Sequence, residues 1–128
     1  MSYYFSRRVK GYFEEVEKRV RKSLGEEGFG VLTEIDVRET LKKKLDVDFR
    51  KYKILGACNP PFAYEALQAE DKIGTMLPCN VIIQESDSGE IEVAAIDPVA
   101  SMQAVKNEAL QPVAEHVQKK LKKVVDNL

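Results

Sequence analysis

Apolar residues recur along this chain with two different periods, and the changes of period divide it into elements. After an extended start over Ser2 to Val9, the residues Tyr12, Phe13, Val16, Val20 and Leu24 fall three or four apart, with Glu14, Glu15, Glu17, Lys18, Arg19 and Arg21 outside that stripe. This spacing predicts a helix with one buried face. Gly28 stands where a residue tolerant of the left-handed conformation ends a helix, and Phe29, Val31, Thr33 and Ile35 then alternate as on a strand, with Gly30 permitting a bend. Asp36, followed by Glu39 three residues on, opens a shorter helix whose apolar line is Val37, Leu41 and Leu45, leaving Lys42, Lys43 and Lys44 to water.

The second half repeats the alternation of strand and helix. Tyr52 to Cys58 reads as a strand, and Asn59-Pro60-Pro61 stops it, because Asn is a favoured N-cap and proline fits the first helical position. The helix that follows runs to about Glu70, with Phe62, Ala63, Ala66 and Leu67 inward. A loop containing Gly74 and Pro78 then leads to a strand from Cys79 to Glu85. Ser86-Asp87-Ser88-Gly89 is a hairpin signal joining it to Glu90 to Ile96, where Ile91, Val93 and Ala95 alternate with acidic or small residues, so these two strands are expected to be antiparallel neighbours. Asp97-Pro98 is a cap followed by a first-turn proline. Leu110, Val113, Ala114, Val117, Leu121, Val124 and Val125 form the stripe of a closing helix.

Composition narrows the class. At 128 residues, 44% hydrophobic and 32% charged, the chain fits a single domain over residues 1–128 that needs no disulfide or metal to hold its core. No apolar run approaches the roughly 20 residues that cross a bilayer, and the start lacks the apolar stretch of a secretion signal. The expectation is a cytoplasmic protein with no membrane partner. A net charge of -1 gives no global attraction to phosphate backbones, so no nucleic acid is expected as a partner. The cluster Lys119, Lys120, Lys122 and Lys123 reads as the wet face of the closing helix.

Chemistry concentrates at two matching Cys-Asn dipeptides, Cys58-Asn59 and Cys79-Asn80, which hold both thiols of the chain in proline-flanked settings at strand ends. Cys58 lies beside a helix N-terminus, where the helix dipole and free N–H groups favour thiolate. The competing reading is that both cysteines pack as small hydrophobes, with one asparagine a cap and the other a strand-edge residue. Several specific chemistries fail on missing residues. Proline occupies the resolving position of a C-x-x-C motif after Cys58, and no arginine follows Cys58 to grip a phosphate. His116 is followed by Gln118, where a zinc deaminase needs its glutamate. Asp36 and Asp97 have ready explanations as caps.

Four segments, Gly28 to Val37, Ile54 to Pro60, Leu77 to Val81 and Ala95 to Pro98, together resemble the bacterial and archaeal family known as domain of unknown function 302. The resemblance implies an α+β fold of the TATA-binding-protein type: two layers, a mostly antiparallel sheet of about five strands with helices on one face, and a homodimer. It also implies that the strands ending at Cys58 and starting at Cys79 are antiparallel neighbours, which would bring both thiols to one end of the sheet. A redox pair, or two thiolates on a soft transition metal, then becomes an expectation for Cys58 and Cys79, with Asn59 and Asn80 orienting a small-molecule ligand. The rival expectation is a structural or protein-interaction homodimer module without catalytic activity.

Overall fold

The alternating segments assemble into one antiparallel sheet. In a computed structural model describing residues 2–128, strands β1 (Tyr4–Val9), β2 (Gly30–Asp36), β3 (Tyr52–Cys58), β4 (Cys79–Glu85) and β5 (Ile91–Ile96) lie in the order β1-β5-β4-β3-β2. Every neighbouring pair is antiparallel. The helices are α1 (Phe13–Glu26), α2 (Val37–Leu45), α3 (Pro60–Ala69), α4 (Pro98–Ser101) and α5 (Leu110–Asp126), with a 3-10 turn over Ile73–Met76. This is the two-layer α+β fold the resemblance implies. None of the helices among the described residues is long and apolar enough to cross a membrane.

Alternation on the strands and the helical stripes explain the main core. Val16, Val20 and Leu24 of α1 and Leu121, Val124 and Val125 of α5 close on Leu55, Val81, Ile83, Val93 and Ala95 of the sheet. Each valine, leucine and isoleucine among them contributes about 1.5–3 kcal/mol by leaving water. Ser23, buried between the two helices, satisfies its hydroxyl by donating to the Val124 carbonyl at 3.0 Å. A smaller second cluster, built on Ala66, Ile73, Leu110 and Val113, joins α3, the 3-10 turn and the start of α5.

Several local expectations hold. Gly28 takes φ +85° while its N–H and that of Phe29 return to the carbonyls of Gly25 and Leu24, closing α1. The Asp36 carboxylate accepts the Glu39 N–H at 3.0 Å, and the seven stripe residues of α5 are all buried. Others need correction. Tyr12 is the N-cap of α1 and points to solvent, so the buried stripe begins at Phe13. On β2 the pairing with β3 shifts register between Val31 and Thr33, so Val31 partners Ala57 and Thr33 partners Gly56. This irregularity inverts the alternation, and Thr33 and Ile35 leave the face that Phe29 and Val31 share. The apolar line of α2 does not dock into the core either: no α2 residue is buried and Leu45 is 66% exposed. Nine residues with three consecutive lysines, Lys42 to Lys44, before the final Leu45 offer too short an apolar stripe to hold a deep position.

Candidate functional site

An apolar gap lies where the two core clusters meet. A cavity of about 260 Å³ opens there, walled by Phe29 and Ala57 from the sheet side, Phe62 and Ala66 of α3, Leu77 and Pro78 ahead of β4, and Val113 and Val117 of α5. Its lining is almost wholly apolar. Cys58, Asn59 and Cys79 also border it, and Leu32 and Leu67, both substantially exposed, carry the apolar surface outward from it.

β3 and β4 are indeed antiparallel neighbours, yet the two cysteines are not near each other. The Cα partner of Cys79 is Ala57, whereas Cys58 pairs with Gly30 of β2. Side chains alternate across a strand, so Ala57 and Cys79 enter the core face while Cys58, one residue further, starts toward the opposite face. The expected pairing of the two thiols at one point is therefore not what the fold makes, and both are free cysteines. Among the described residues no group of three or more His, Cys, Asp or Glu side chains is placed to hold a metal ion. Cys79 is buried, and desolvation first, with the charge of Cys58 second, pushes its thiol up to about 11. It is a packed, protonated thiol at neutral pH. Cys58 is half-buried at the end of β3.

The asparagines part company as well. Asn59 occupies the N-cap position of α3, but its side chain does not cap the helix. It is buried and donates from Nδ2 to the Glu27 carbonyl at 3.1 Å, tying the end of α1 to the start of α3. A Cβ at position 28 would come within 3.3 Å of Nδ2, so Gly28 is needed for this contact as well as for its positive φ. Asn80 is exposed on the opposite face of the sheet and does not reach the cavity. There it borders a shallow depression with Tyr4, Tyr52 and Ile82.

Two polar groups beside the cavity are already engaged. The Asp97 carboxylate accepts the N–H groups of Val99 and Ala100 at 3.0 and 3.5 Å and the Gln118 side-chain amide at 3.0 Å, so it serves as a cap for α4. His116 stacks on Phe62, ring centroids 5.6 Å apart. The cavity walls themselves were not visible in the sequence as a site. Val113 and Val117 read as core stripe, and nothing in their spacing tells a filled interior from an unfilled one.

A five-stranded antiparallel sheet backed by one layer of helices, with an apolar cavity at the seam of its cores and no cluster of metal-ligating side chains among the described residues, defines a small two-layer α+β domain. Within that class the chain belongs to the family described as domain of unknown function DUF302, whose model matches residues 5–128. It is similar to a solved structure of an uncharacterized conserved DUF302 protein from Bacillus stearothermophilus, with 28% identity, a TM-score of 0.91 and 98% of each chain covered. No curated protein matches.

Proposed function

We propose that the chain is a binding protein for a small apolar molecule, held in the cavity bordered by Cys58, Asn59 and Cys79. The observation that supports this reading is the space itself. The space opens to solvent while its walls are almost wholly apolar, so an apolar molecule seated there removes that wall from water. At about 260 Å³ it suits a compact hydrocarbon of one or two rings or a short acyl chain. Cys58 and Cys79 contribute soft, polarizable wall, and Asn59 holds the α1 and α3 ends in register around the opening.

The test uses naphthalene as probe. Saturable binding by calorimetry is expected, with Cys58 protected from N-ethylmaleimide at pH 7.5 when the probe is bound. The Ala63→Phe substitution, which places a ring in the cavity wall, is expected to weaken binding at least ten-fold while leaving the fold intact by circular dichroism. Absence of saturable binding to the wild-type chain, or binding indifferent to Ala63→Phe, overturns the proposal.

A further inference from the structure

The two thiols border the apolar cavity in different settings. Cys58 is half-buried where β3 ends and the chain turns at once into α3. Pro60 and Pro61 have no N–H, so the first donor of that helix is the Phe62 N–H. It has no acceptor among the described residues, because the Asn59 side chain, placed to meet a cap's donors, is turned to the Glu27 carbonyl instead. Cys79, on the core face, is 8% exposed, and its S–H likewise finds no acceptor among the described residues. No other ionisable side chain borders the cavity. Two unpartnered donors and one half-buried thiol therefore surround a space whose walls are otherwise hydrocarbon.

Those groups narrow the reactions open to Cys58. The thiols are not near each other and are both free. Acyl transfer finds no acid or base on the walls to release a leaving group. Conjugate addition asks for less: a thiol, a donor for a carbonyl oxygen and an apolar seat for the rest of the molecule.

We infer that Cys58 captures apolar α,β-unsaturated carbonyl compounds, the hydrocarbon tail lying in the cavity while the thiol adds to the β-carbon. The inference rests on the cavity's taking an apolar molecule and adds a covalent step at its border. A bond forms between Cys58 Sγ and the β-carbon as the π pair of the double bond moves toward the carbonyl oxygen. The thiol proton passes to water, and water returns a proton to the α-carbon. No group leaves, and no oxidant or reductant is consumed. The carbonyl oxygen accepts from the Phe62 N–H, which stabilises the charge developing on it. Cys79 stays unreacted, since the thiolate is the adding species and burial keeps that thiol protonated. Seating the tail before the bond forms makes the addition nearly unimolecular, so the rate rises with a tail that the space of about 260 Å³ accommodates.

The test compares two enones with the same reacting group and different tails, 3-nonen-2-one and 3-penten-2-one, on the full chain at pH 7.5. Adducts are followed by intact mass and located by peptide mapping. The expected product carries one nonenone on Cys58 and is absent from Cys58→Ser. The rate ratio of the long enone to the short one is expected to exceed that of N-acetylcysteine at least ten-fold. Naphthalene, by filling the same space, should bring the ratio back to the N-acetylcysteine value, and Ala63→Phe should do the same. The naphthalene arm needs no variant, so a misfolded Ala63→Phe does not spoil the comparison. A ratio equal to that of N-acetylcysteine in a chain that binds naphthalene overturns the capture step and leaves the binding reading standing. A raised ratio that naphthalene does not lower, or an adduct placed mainly on Cys79 or on lysines, overturns the capture step as well. A chain that neither binds naphthalene nor shows the raised ratio overturns both.

Discussion

Cys79 and Gly56 show how a single position is fixed by what surrounds it. Burial holds the Cys79 proton to about pH 11, against about 9.0 for a free thiol. The folded chain therefore binds that proton more tightly than the unfolded chain does, so the stability it represents is fully present below pH 9 and is lost as pH rises toward 11. The expected decline over that window is about 2–3 kcal/mol. Urea denaturation at pH 8 to 11 should show it in the wild-type chain, and Cys79→Ala should remove that part of the slope. At Gly56 the constraint is space. An added Cβ would lie 2.1 Å from Thr33 Oγ1 and 2.7 Å from Pro78 Cγ. The threonine can rotate, but the proline ring cannot, so Gly56→Ala is expected to cost about 1–3 kcal/mol. Thr33→Ser in the same chain should recover little of that loss, a comparison read directly from denaturation midpoints.

Between elements, ionic contacts tie α1 to the two strands beside it. Glu17 accepts from Lys53 of β3 at 2.9 Å and from Arg21 at 3.0 Å, and Arg21 and Lys53 both also reach Glu34 of β2. Partial burial alone would raise the Glu17 carboxyl, but the hydrogen bonds and charges of Lys53 and Arg21 outweigh it and hold the group below its ordinary 4.5. Its contribution is present above pH 4.5 and fades as pH falls below that value. Glu17→Gln is expected to lose about 1–2 kcal/mol at pH 7, with the difference from wild type closing in acid, as followed by thermal denaturation from pH 7 to 3. The lysines of α5 find similar partners, Lys120 and Lys123 with Glu27 and Lys122 with Asp126, which accounts for that basic cluster as a surface device. By contrast α2 carries its ion pairs, Lys43 to Glu39 and Lys42 to Asp46, wholly in solvent, where they contribute little.

At the scale of the whole molecule, the sheet presents two different faces. One face is sealed by α1 and α5 into the main core, and where α3 and the 3-10 turn meet the start of α5 a second, smaller core forms beside it. The cavity is the seam between them: Phe29, Ala57 and Val117 come from the main cluster, Ala66 and Val113 from the satellite. The other face keeps an apolar centre that no helix of the main core covers.

Periodicity determined the elements, because a residue's place on a strand or helix face depends only on its near neighbours in the chain. The strands β3, β4 and β5, the stripe of α5, the Asp36 and Asp97 caps and the turn at Gly28 were all legible on that ground, and four short motifs carried the family and with it the two-layer fold. Which side chains meet across the sheet was not. A one-residue offset in register decides the face, so Cys58, which ends β3, and Cys79, which begins the adjacent β4, still part, and the irregularity after Val31 turns Thr33 outward. Nor does any spacing reveal whether apolar positions such as Val113 and Val117 touch or leave room between them, since an unfilled volume belongs to no residue and exists only once every wall is in place.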